Sequence, residues 1–222
     1  MDRLHRIRLL LGADAVKKLQ SKTVMVVGCG AVGSFAIEAL ARSGIGNIIL
    51  VDFDVVEPTN INRQLFATHS TIGTPKVDVA RARISDISSD INVKTFNMFW
   101  DDKSDPDVKP DFVIDAIDSV PSKIALYRWC AAKNIPFVAS MGAAQKTDMT
   151  MIKVAPISKT TVCPLAARVR KLVRAENLPD FPTVYSTQEP IKNDTMTLGS
   201  MITVTGDFGL KLAGFVIEKL SE

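Results

Sequence analysis

Cysteine is scarce in this chain, and the few cysteines stand far apart. Cys29, Cys130 and Cys163 are the three among 222 residues, and no Cys-x-x-Cys pair occurs. This spacing argues against a disulfide framework and against a four-thiolate zinc site, so we expect no structural zinc. We interpret the three thiols as buried small apolar groups of a protein in a reducing cytosol.

Long apolar runs are also missing. No stretch approaches the roughly 20 clean apolar residues of a membrane span, and charges interrupt positions 1–20, where a signal peptide would have its apolar core. We therefore expect a cytoplasmic protein with no membrane partner. Because linkers, repeats and low-complexity segments are absent from the sequence, we predict one domain over residues 1–222. Its expected parts are an N-terminal helix (1–20), a nucleotide-binding core (21–145) and a substrate and dimer region (146–222).

No large excess of one charge is present. The formal net charge is +3, with 46% hydrophobic and 23% charged residues and few aromatics. Such a composition is ordinary for a globular protein. A net charge this small neither establishes nor excludes a nucleic-acid partner, because the clustering of charge decides that question.

Short apolar runs alternate with segments of helical periodicity through the first two thirds of the chain. The predicted strands are 23–27, 47–51, 93–97, 111–114 and 136–140, and the predicted helices are 31–43, 74–87 and 121–133. This alternation predicts an α/β fold with a Rossmann-like, doubly wound and mainly parallel sheet. Ligands of such sheets bind at the carboxyl ends of the strands.

The last third is less regular. We predict a strand near 149–155, a basic helix over 164–175, a polar loop over 179–194 and an amphipathic closing helix over 206–220. These elements are interpreted as a C-terminal extension of the same sheet.

A glycine-rich turn follows the first predicted strand. Gly28 permits a tight turn, Gly30 lets the backbone approach a phosphate, and Gly33 lets the next helix pack closely on the strand. Asp52 ends the second strand 19 residues after Gly33, where it is placed to bind a ribose. The alternative for Asp52 is a simple cap on the strand end, and the glycine turn alone also suits an NAD dehydrogenase.

Further polar residues favour a nucleoside triphosphate over NAD. Asn60, Arg63 and Lys76 follow the second strand, and Asp118 follows the fourth. Arginine and lysine neutralise the charge on a leaving pyrophosphate, and a carboxylate suits Mg²⁺ that carries phosphates. Each residue alone is more often a solvated surface charge, but the ordered set points to ATP and Mg²⁺.

The runs GCGAVGS, LVDFDVVEPTNINRQ, STIGTPKVDVA and DAIDSVPSKIAL resemble the adenylating family of ThiF, MoeB and the ubiquitin-like-protein activating enzymes. The resemblance implies a homodimer that binds ATP and Mg²⁺ and joins AMP to a carboxylate. It also implies roles by motif position. The implied nucleotide-binding residues are Gly28, Gly30, Gly33, Asp52, Asp54, Asn60, Arg63, Lys76 and Asp118, of which Asp118 holds the metal through ATP. The implied catalytic residues are Arg63, Lys76, Asp118 and Arg6, the last supplied across the dimer to the partner's ATP.

Within this family the chain most resembles the tRNA threonylcarbamoyladenosine dehydratases, through RLHRIRLLLG, SMGAAQKTDMT, KTTVCPLAARVRKLVR and TVYSTQEP. This resemblance implies adenylation of the threonine carboxylate of the modified tRNA, followed by ring closure with loss of water. It leaves a sulfur-relay protein open as a further partner. Branch members commonly carry Asp where this chain has Cys163, a thiol for which we favour a structural role over a nucleophilic one.

The basic helix offers a contact for tRNA. Arg168, Lys171 and Arg174 share a predicted face with Arg170 beside them, and Leu165, Val169, Leu172 and Val173 are predicted to face inward. An ordinary solvated amphipathic helix explains the same pattern.

Three other functions stay open at this point. The chain is alternatively an adenylating enzyme for the C-terminus of a ubiquitin-like sulfur carrier, a non-catalytic nucleotide-binding module, or an NAD dehydrogenase. The missing zinc cysteines and the dehydratase-like C-terminal half argue against the carrier enzyme.

Overall fold

The computed structural model describes residues 2–191 and 197–222. Its seven strands are β1 (Thr23–Val27), β2 (Asn47–Asp52), β3 (Asn92–Asn97), β4 (Phe112–Asp115), β5 (Phe137–Ser140), β6 (Ile152–Pro156) and β7 (Pro182–Ser186). Its seven α-helices are α1 (His5–Leu11), α2 (Ala13–Ser21), α3 (Gly33–Ser43), α4 (Lys76–Ile87), α5 (Val120–Lys133), α6 (Pro164–Ala175) and α7 (Ile202–Ser221).

The strands form one sheet in the order β3-β2-β1-β4-β5-β7-β6. All neighbouring pairs are parallel except β6 with β7, which are antiparallel. The predicted α/β fold, with its Rossmann-like, mainly parallel sheet and C-terminal sheet extension, is therefore confirmed. The strand order reverses between β1 and β4, and such a switch point opens a crevice beyond the carboxyl ends of the strands.

Helices cover both faces of the sheet. The strands β1, β2 and β4 are almost fully apolar, as expected for parallel strands buried on both sides, whereas the edge strand β3 is more polar and partly exposed. One core lies between the sheet and the elements α3, α4 and α7, where Ile37, Leu40 and Phe208 are fully buried. The second lies under α5 and α6, where Tyr127 and Val169 are fully buried. Among the described residues, none of the helices combines the length and apolar character that crossing a bilayer requires.

Four predicted elements differ from the structure. The strand predicted near 149–155 begins three residues later, at Ile152, because Met149–Met151 form a 3-10 turn. The N-terminal helix predicted over 1–20 is two helices, because Gly12 adopts a φ of +88° between them. The closing helix begins at Ile202, four residues before the predicted start, and its buried face includes Val204 and Thr205.

The polar loop predicted over 179–194 is also wrong in part. It contains β7, whose residues pair with both β5 and β6 and are largely buried. The segment 192–194 of that predicted loop lies outside the described residues.

Candidate active site

A cavity of about 980 Å³ opens at the carboxyl ends of the strands. Its lining includes the nucleotide-binding candidates Gly28, Gly30, Asp52, Asp54, Asn60, Arg63, Lys76 and Asp118. Gly33 lies behind this lining, and Arg6 is exposed on α1 away from it. The cavity extends past the switch point to the loop after β5 and the start of α6. Its volume is at the upper end for small-molecule sites, which leaves room for a second ligand beside a nucleotide.

The glycine turn is packed too tightly for side chains at two positions. Gly28 has a φ of +99°, and a Cβ there would stand 2.6 Å from the Ala116 carbonyl oxygen. A Cβ on Gly33 would stand 1.7 Å from the Gly28 carbonyl oxygen. Gly30 is different, because the nearest atom to its added Cβ is the Gln64 side chain at 3.8 Å. Gly28 and Gly33 therefore shape the turn, whereas Gly30 leaves an open backbone surface toward the cavity.

This contrast gives a matched pair of glycine variants. We expect Gly33→Ala to lower the unfolding temperature and weaken nucleotide binding together, since the turn itself has to move. Gly30→Ala keeps the unfolding temperature within about 2 °C and weakens ATP binding roughly tenfold or more, because its methyl group occupies space near the bound phosphates. Thermal unfolding and ATP titration of both variants test this. Equal loss of stability in the two variants would contradict it.

Asp52 joins the glycine turn to the end of β2. One carboxylate oxygen accepts a hydrogen bond from the Cys29 backbone N–H at 2.6 Å, and the other accepts one from the Asp54 N–H at 2.8 Å. Burial raises the pKa of the Asp52 carboxyl, and these two hydrogen bonds oppose the rise. Asp52 therefore does fix the strand end, as in the capping alternative, and at the same time it lines the cavity where a ribose would lie.

Lys76 begins α4 and is only 8% exposed. Its Nζ donates to the Asp54 carboxylate at 2.7 Å, and its backbone N–H donates to the Asp54 carbonyl at 2.9 Å. A backbone bridge between Val55 and Pro75 ties the same two segments together. The ammonium is thus held at a defined point of the cavity wall as a compact positive charge.

The segment between β2 and α4 carries Asn60 and Arg63. Asn60 is buried at the end of a 3-10 turn, and its side-chain oxygen accepts a hydrogen bond from the Glu57 N–H. Arg63 is half-buried, and its Nη1 donates to the Thr59 carbonyl at 2.6 Å and to Asn62 Oδ1 at 2.9 Å. These contacts orient the guanidinium at the cavity rim, while Asn60 stabilises the turn that precedes it.

A buried network below β4 was not predicted from the sequence. Asp115 and Lys123 are both fully buried, with 2.8 Å between the carboxylate and the ammonium. The Tyr127 hydroxyl donates to the same carboxylate at 2.5 Å, and the Lys123 ammonium also donates to the Ser140 carbonyl at 2.7 Å. Burial and the adjacent Asp115 raise the pKa of Tyr127 well above its usual value. The sequence offers one sign of this network, Asp115 in the run DAID, but the motif predicts a role for Asp118 alone.

This network positions the turn that carries Asp118. The second Asp115 oxygen accepts a hydrogen bond from the Ile117 N–H at 2.9 Å. Asp118 follows directly, exposed in the cavity lining, and no described residue donates a hydrogen bond to its carboxylate. Within the described part of the chain, no cluster of three or more His, Cys, Asp or Glu side chains could hold a metal. A cation at Asp118 would therefore take its other oxygen ligands from bound phosphates and water.

The half of the cavity beyond β5 is lined by the loop 141–146 and by Cys163, Leu165 and Arg168. Cys163 is 2% exposed and packs in the second core, beside Gly142. Lys146 is 3% exposed, and its ammonium donates a hydrogen bond to the Gln188 backbone carbonyl. Burial lowers the pKa of Lys146 below the usual lysine value. All three cysteines are buried free thiols, as predicted.

The basic helix α6 differs from its prediction at two residues. Arg168, Lys171 and Arg174 are exposed as expected. Arg170 is half-buried, and its guanidinium donates to the Thr160 carbonyl at 2.8 Å, so it belongs to the protein interior more than to a docking face. Leu172 was predicted to face inward but is 37% exposed. Val169 and Val173 are buried, as the helical spacing predicted.

Comparisons with known proteins agree with this geometry. The ThiF family model matches residues 2–221. The tRNA threonylcarbamoyladenosine dehydratase of Bacillus subtilis is 44% identical, over 86% of this chain and 77% of its own length. The Haemophilus influenzae protein of the same name is 35% identical, over 99% and 93%. The crystal structure of E. coli TcdA, a tRNA N6-threonylcarbamoyladenosine dehydratase in complex with ATP, superimposes with a TM-score of 0.92 at 34% identity, over 98% and 93% of the two chains. By the extent of these matches, the chain belongs to the ThiF family.

Proposed function

We propose that this protein is an ATP-dependent tRNA threonylcarbamoyladenosine dehydratase. The proposal is carried by one observation: three relatives with that name are 34–44% identical over most of the chain, and one of them is a structure with ATP bound. The cavity supports it, because it joins a glycine turn and a buried lysine to a second compartment across the switch point. The substrate is then tRNA that carries threonylcarbamoyladenosine.

The proposed reaction has two steps. The threonine carboxylate attacks the α-phosphorus of ATP, so that an acyl adenylate forms and pyrophosphate leaves. A nucleophile of the same threonylcarbamoyl group then attacks the acyl carbon, the ring closes and AMP leaves. One carboxylate oxygen ends on AMP, which accounts for the net loss of water. The protein contributes positioning and charge stabilisation, and no covalent enzyme intermediate is required.

Each part of the nucleotide half has a task in this scheme. The turn at Gly30 and the start of α3 offer backbone N–H groups to phosphate oxygens. Lys76 and Arg63 neutralise the charge that develops on pyrophosphate, and Asp52 binds the ribose. Asp118 would hold Mg²⁺, which when bound supplies charge neutralisation of the phosphates. An exposed carboxylate in the cavity wall fits that ion, because a magnesium site of this kind needs only one or two protein oxygens.

Product analysis tests the proposal directly. Incubation of the modified tRNA with ATP and Mg²⁺ is expected to yield a nucleoside that mass spectrometry finds lighter by one water, with AMP and pyrophosphate formed in equal amounts. Asp118→Asn, a change at an exposed side chain, is the matched variant that should fold normally and form little product. ATP–pyrophosphate exchange stimulated by a ubiquitin-like carrier protein, but not by modified tRNA, would contradict the proposal.

We further propose that the exposed cations of α6 bind the tRNA backbone. Reversal of two of them, as K171E/R174E, is expected to weaken tRNA binding about tenfold or more at low salt and to flatten its salt dependence, because two phosphate contacts are lost. The matched control is K17E/K18E on α2, whose lysines are also exposed. Filter binding over a range of salt concentrations measures both. Equal effects of the two reversals would contradict a specific role for α6.

We also propose that the protein acts as a homodimer in the cytoplasm. Helix α1 exposes Leu9 (71%) and Leu10 (81%) next to Arg6, and a second copy would cover such apolar residues. The buried free thiols suit the reducing compartment.

Mixing two inactive variants tests the dimer and Arg6 together. If Arg6 completes the partner's site, Arg6→Ala and Lys76→Ala are each inactive alone. After subunit exchange in an equal mixture, about half of the dimers are mixed, and one of the two sites in each mixed dimer is intact. The mixture therefore recovers about a quarter of the wild-type activity. No recovery, despite exchange shown by native mass spectrometry, would contradict the shared site.

A further inference from the structure

Three lysines of the described chain are buried: Lys76, Lys123 and Lys146. The first two have carboxylate partners, with Nζ to oxygen distances of 2.7 Å to Asp54 and 2.8 Å to Asp115. Lys146 is 3% exposed, yet no carboxylate among the described residues lies within ion-pair distance of it. A buried ammonium without an anion is unfavourable, so this arrangement points to an anionic ligand.

The hydrogen bonds of Lys146 leave capacity for such a ligand. Its ammonium has three donors, and the one acceptor that the described residues supply is the neutral Gln188 carbonyl. Burial lowers the pKa of Lys146, while the Glu189 carboxylate, which lies beyond ion-pair distance, acts on it in the opposite direction. The side chain lines the same cavity as the nucleotide residues.

The loop around Lys146 is firmly held. The Gln188 side-chain oxygen accepts hydrogen bonds from the Thr147 and Asp148 N–H groups, both at 2.9 Å. Gln145, on the other side, has a φ of +58° and exchanges backbone hydrogen bonds with Gly199 and Ile191 at 2.8 and 2.9 Å. A strained, doubly anchored backbone of this kind fixes where the ammonium can reach.

The position of Lys146 in the sheet separates it from the nucleotide half. The glycine turn and Asp52 follow β1 and β2, on one side of the switch point, whereas the loop of Lys146 follows β5 on the other side. Lys146 therefore lies in the compartment left for the acceptor of the adenylyl group. In the proposed reaction the acceptor is an anion, a carboxylate, that must approach negatively charged phosphates.

We infer that Lys146 binds the substrate carboxylate and positions it for attack on the α-phosphorus. One carboxylate oxygen accepts a hydrogen bond from the ammonium, and the other oxygen attacks. The charge of Lys146 also offsets the repulsion between the carboxylate and the phosphates. This inference rests on the proposed function and adds to it the residue that recognises the acid group of the substrate.

Competition with two small ligands tests the inference. The probes are free N6-threonylcarbamoyladenosine and its carboxamide, in which the acid is replaced by a neutral group of similar shape. We expect the wild type to prefer the acid by roughly 10- to 100-fold, the range for a hydrogen bond to a charged group. Lys146→Met is expected to bind both ligands equally and weakly, and Lys146→Arg to retain part of the preference, because it keeps the charge.

Stability and ATP binding distinguish this role from a structural one. Because Lys146→Met removes an unpaired buried cation, we expect its unfolding temperature to stay equal or to rise, with the Kd for ATP unchanged within twofold. Lys153→Met, at an exposed lysine of β6, is the matched control and should change none of these quantities.

Two results would overturn the inference. The first is an acid preference that persists in Lys146→Met. The second is a fall in the unfolding temperature together with weaker ATP binding, which would show that the lysine only supports the loop. If instead the wild type binds neither nucleoside but still binds ATP, the proposed function itself fails, and the inference falls with it.

Discussion

Replacing Lys76 with methionine is expected to lower the rate of adenylate formation by roughly 100- to 1,000-fold, the usual loss when one preorganised donor to a developing charge is removed. Lys76 is buried, and Asp54 holds its ammonium in place at the cavity wall. Methionine has a similar length but no charge, so the pyrophosphate would leave without that stabilisation. Single-turnover measurement of AMP formation with modified tRNA gives the rate.

The stability of this variant should change little. Asp54 keeps 45% of its side chain exposed, so water solvates the carboxylate when its partner is removed. We expect a change below about 1 kcal/mol in the free energy of unfolding, because the remaining carboxylate keeps its contact with water. Lys103→Met, at an exposed lysine outside the cavity lining, is the control. A Lys76→Met enzyme that retained more than a tenth of the wild-type rate would contradict the role given to this lysine.

Lys123→Met is expected to have its main effect on stability, with a loss of about 3–5 kcal/mol in the free energy of unfolding. The change leaves the Asp115 carboxylate fully buried without its cation, and among the described residues only the hydroxyl of Tyr127 and the N–H of Ile117 still donate to it. Urea unfolding of the ligand-free protein measures the loss.

A second substitution tests whether the unpaired charge of Asp115 causes the loss of stability in Lys123→Met. The double variant D115N/K123M removes both charges, so it should be more stable than Lys123→Met alone. Were the double variant less stable than the single one, the hydrogen bonds that the Asp115 carboxylate accepts from Tyr127 and Ile117, and not its unpaired charge, would dominate. Nucleotide binding of the folded double variant should also weaken, because Asp115 orients the turn that leads to Asp118.

Most of the sheet and the nucleotide half of the site are predictable from sequence because their signals are local. Apolar runs predict the strands, and the glycine spacing predicts the turn. Asp52 ends β2, and Asp118 lies three residues after the end of β4. Helix and strand boundaries moved by only one or two residues in this region. The parallel topology then brings the separate strand ends together at one edge.

The remaining features depend on contacts between distant segments. β7 was missed because its short run is flanked by polar residues, and its burial comes from pairing with β5 and β6. Lys123 occurs in an ordinary helical pattern, so its partner Asp115 is visible only after folding. The sequence predicts Arg170 beside the tRNA face as a further contact, because helical spacing does not reveal the Thr160 carbonyl that it binds.

The close contact between Gly33 and the Gly28 carbonyl affects the cost of ordering the turn when ATP binds. A turn without free space has its bound shape before the ligand arrives, so ATP would lose little affinity to ordering of the backbone. Calorimetric titration would then give a heat-capacity change explained by the buried surface alone, with no contribution from local folding. The glycine turn is therefore expected to have the same backbone conformation with and without ATP.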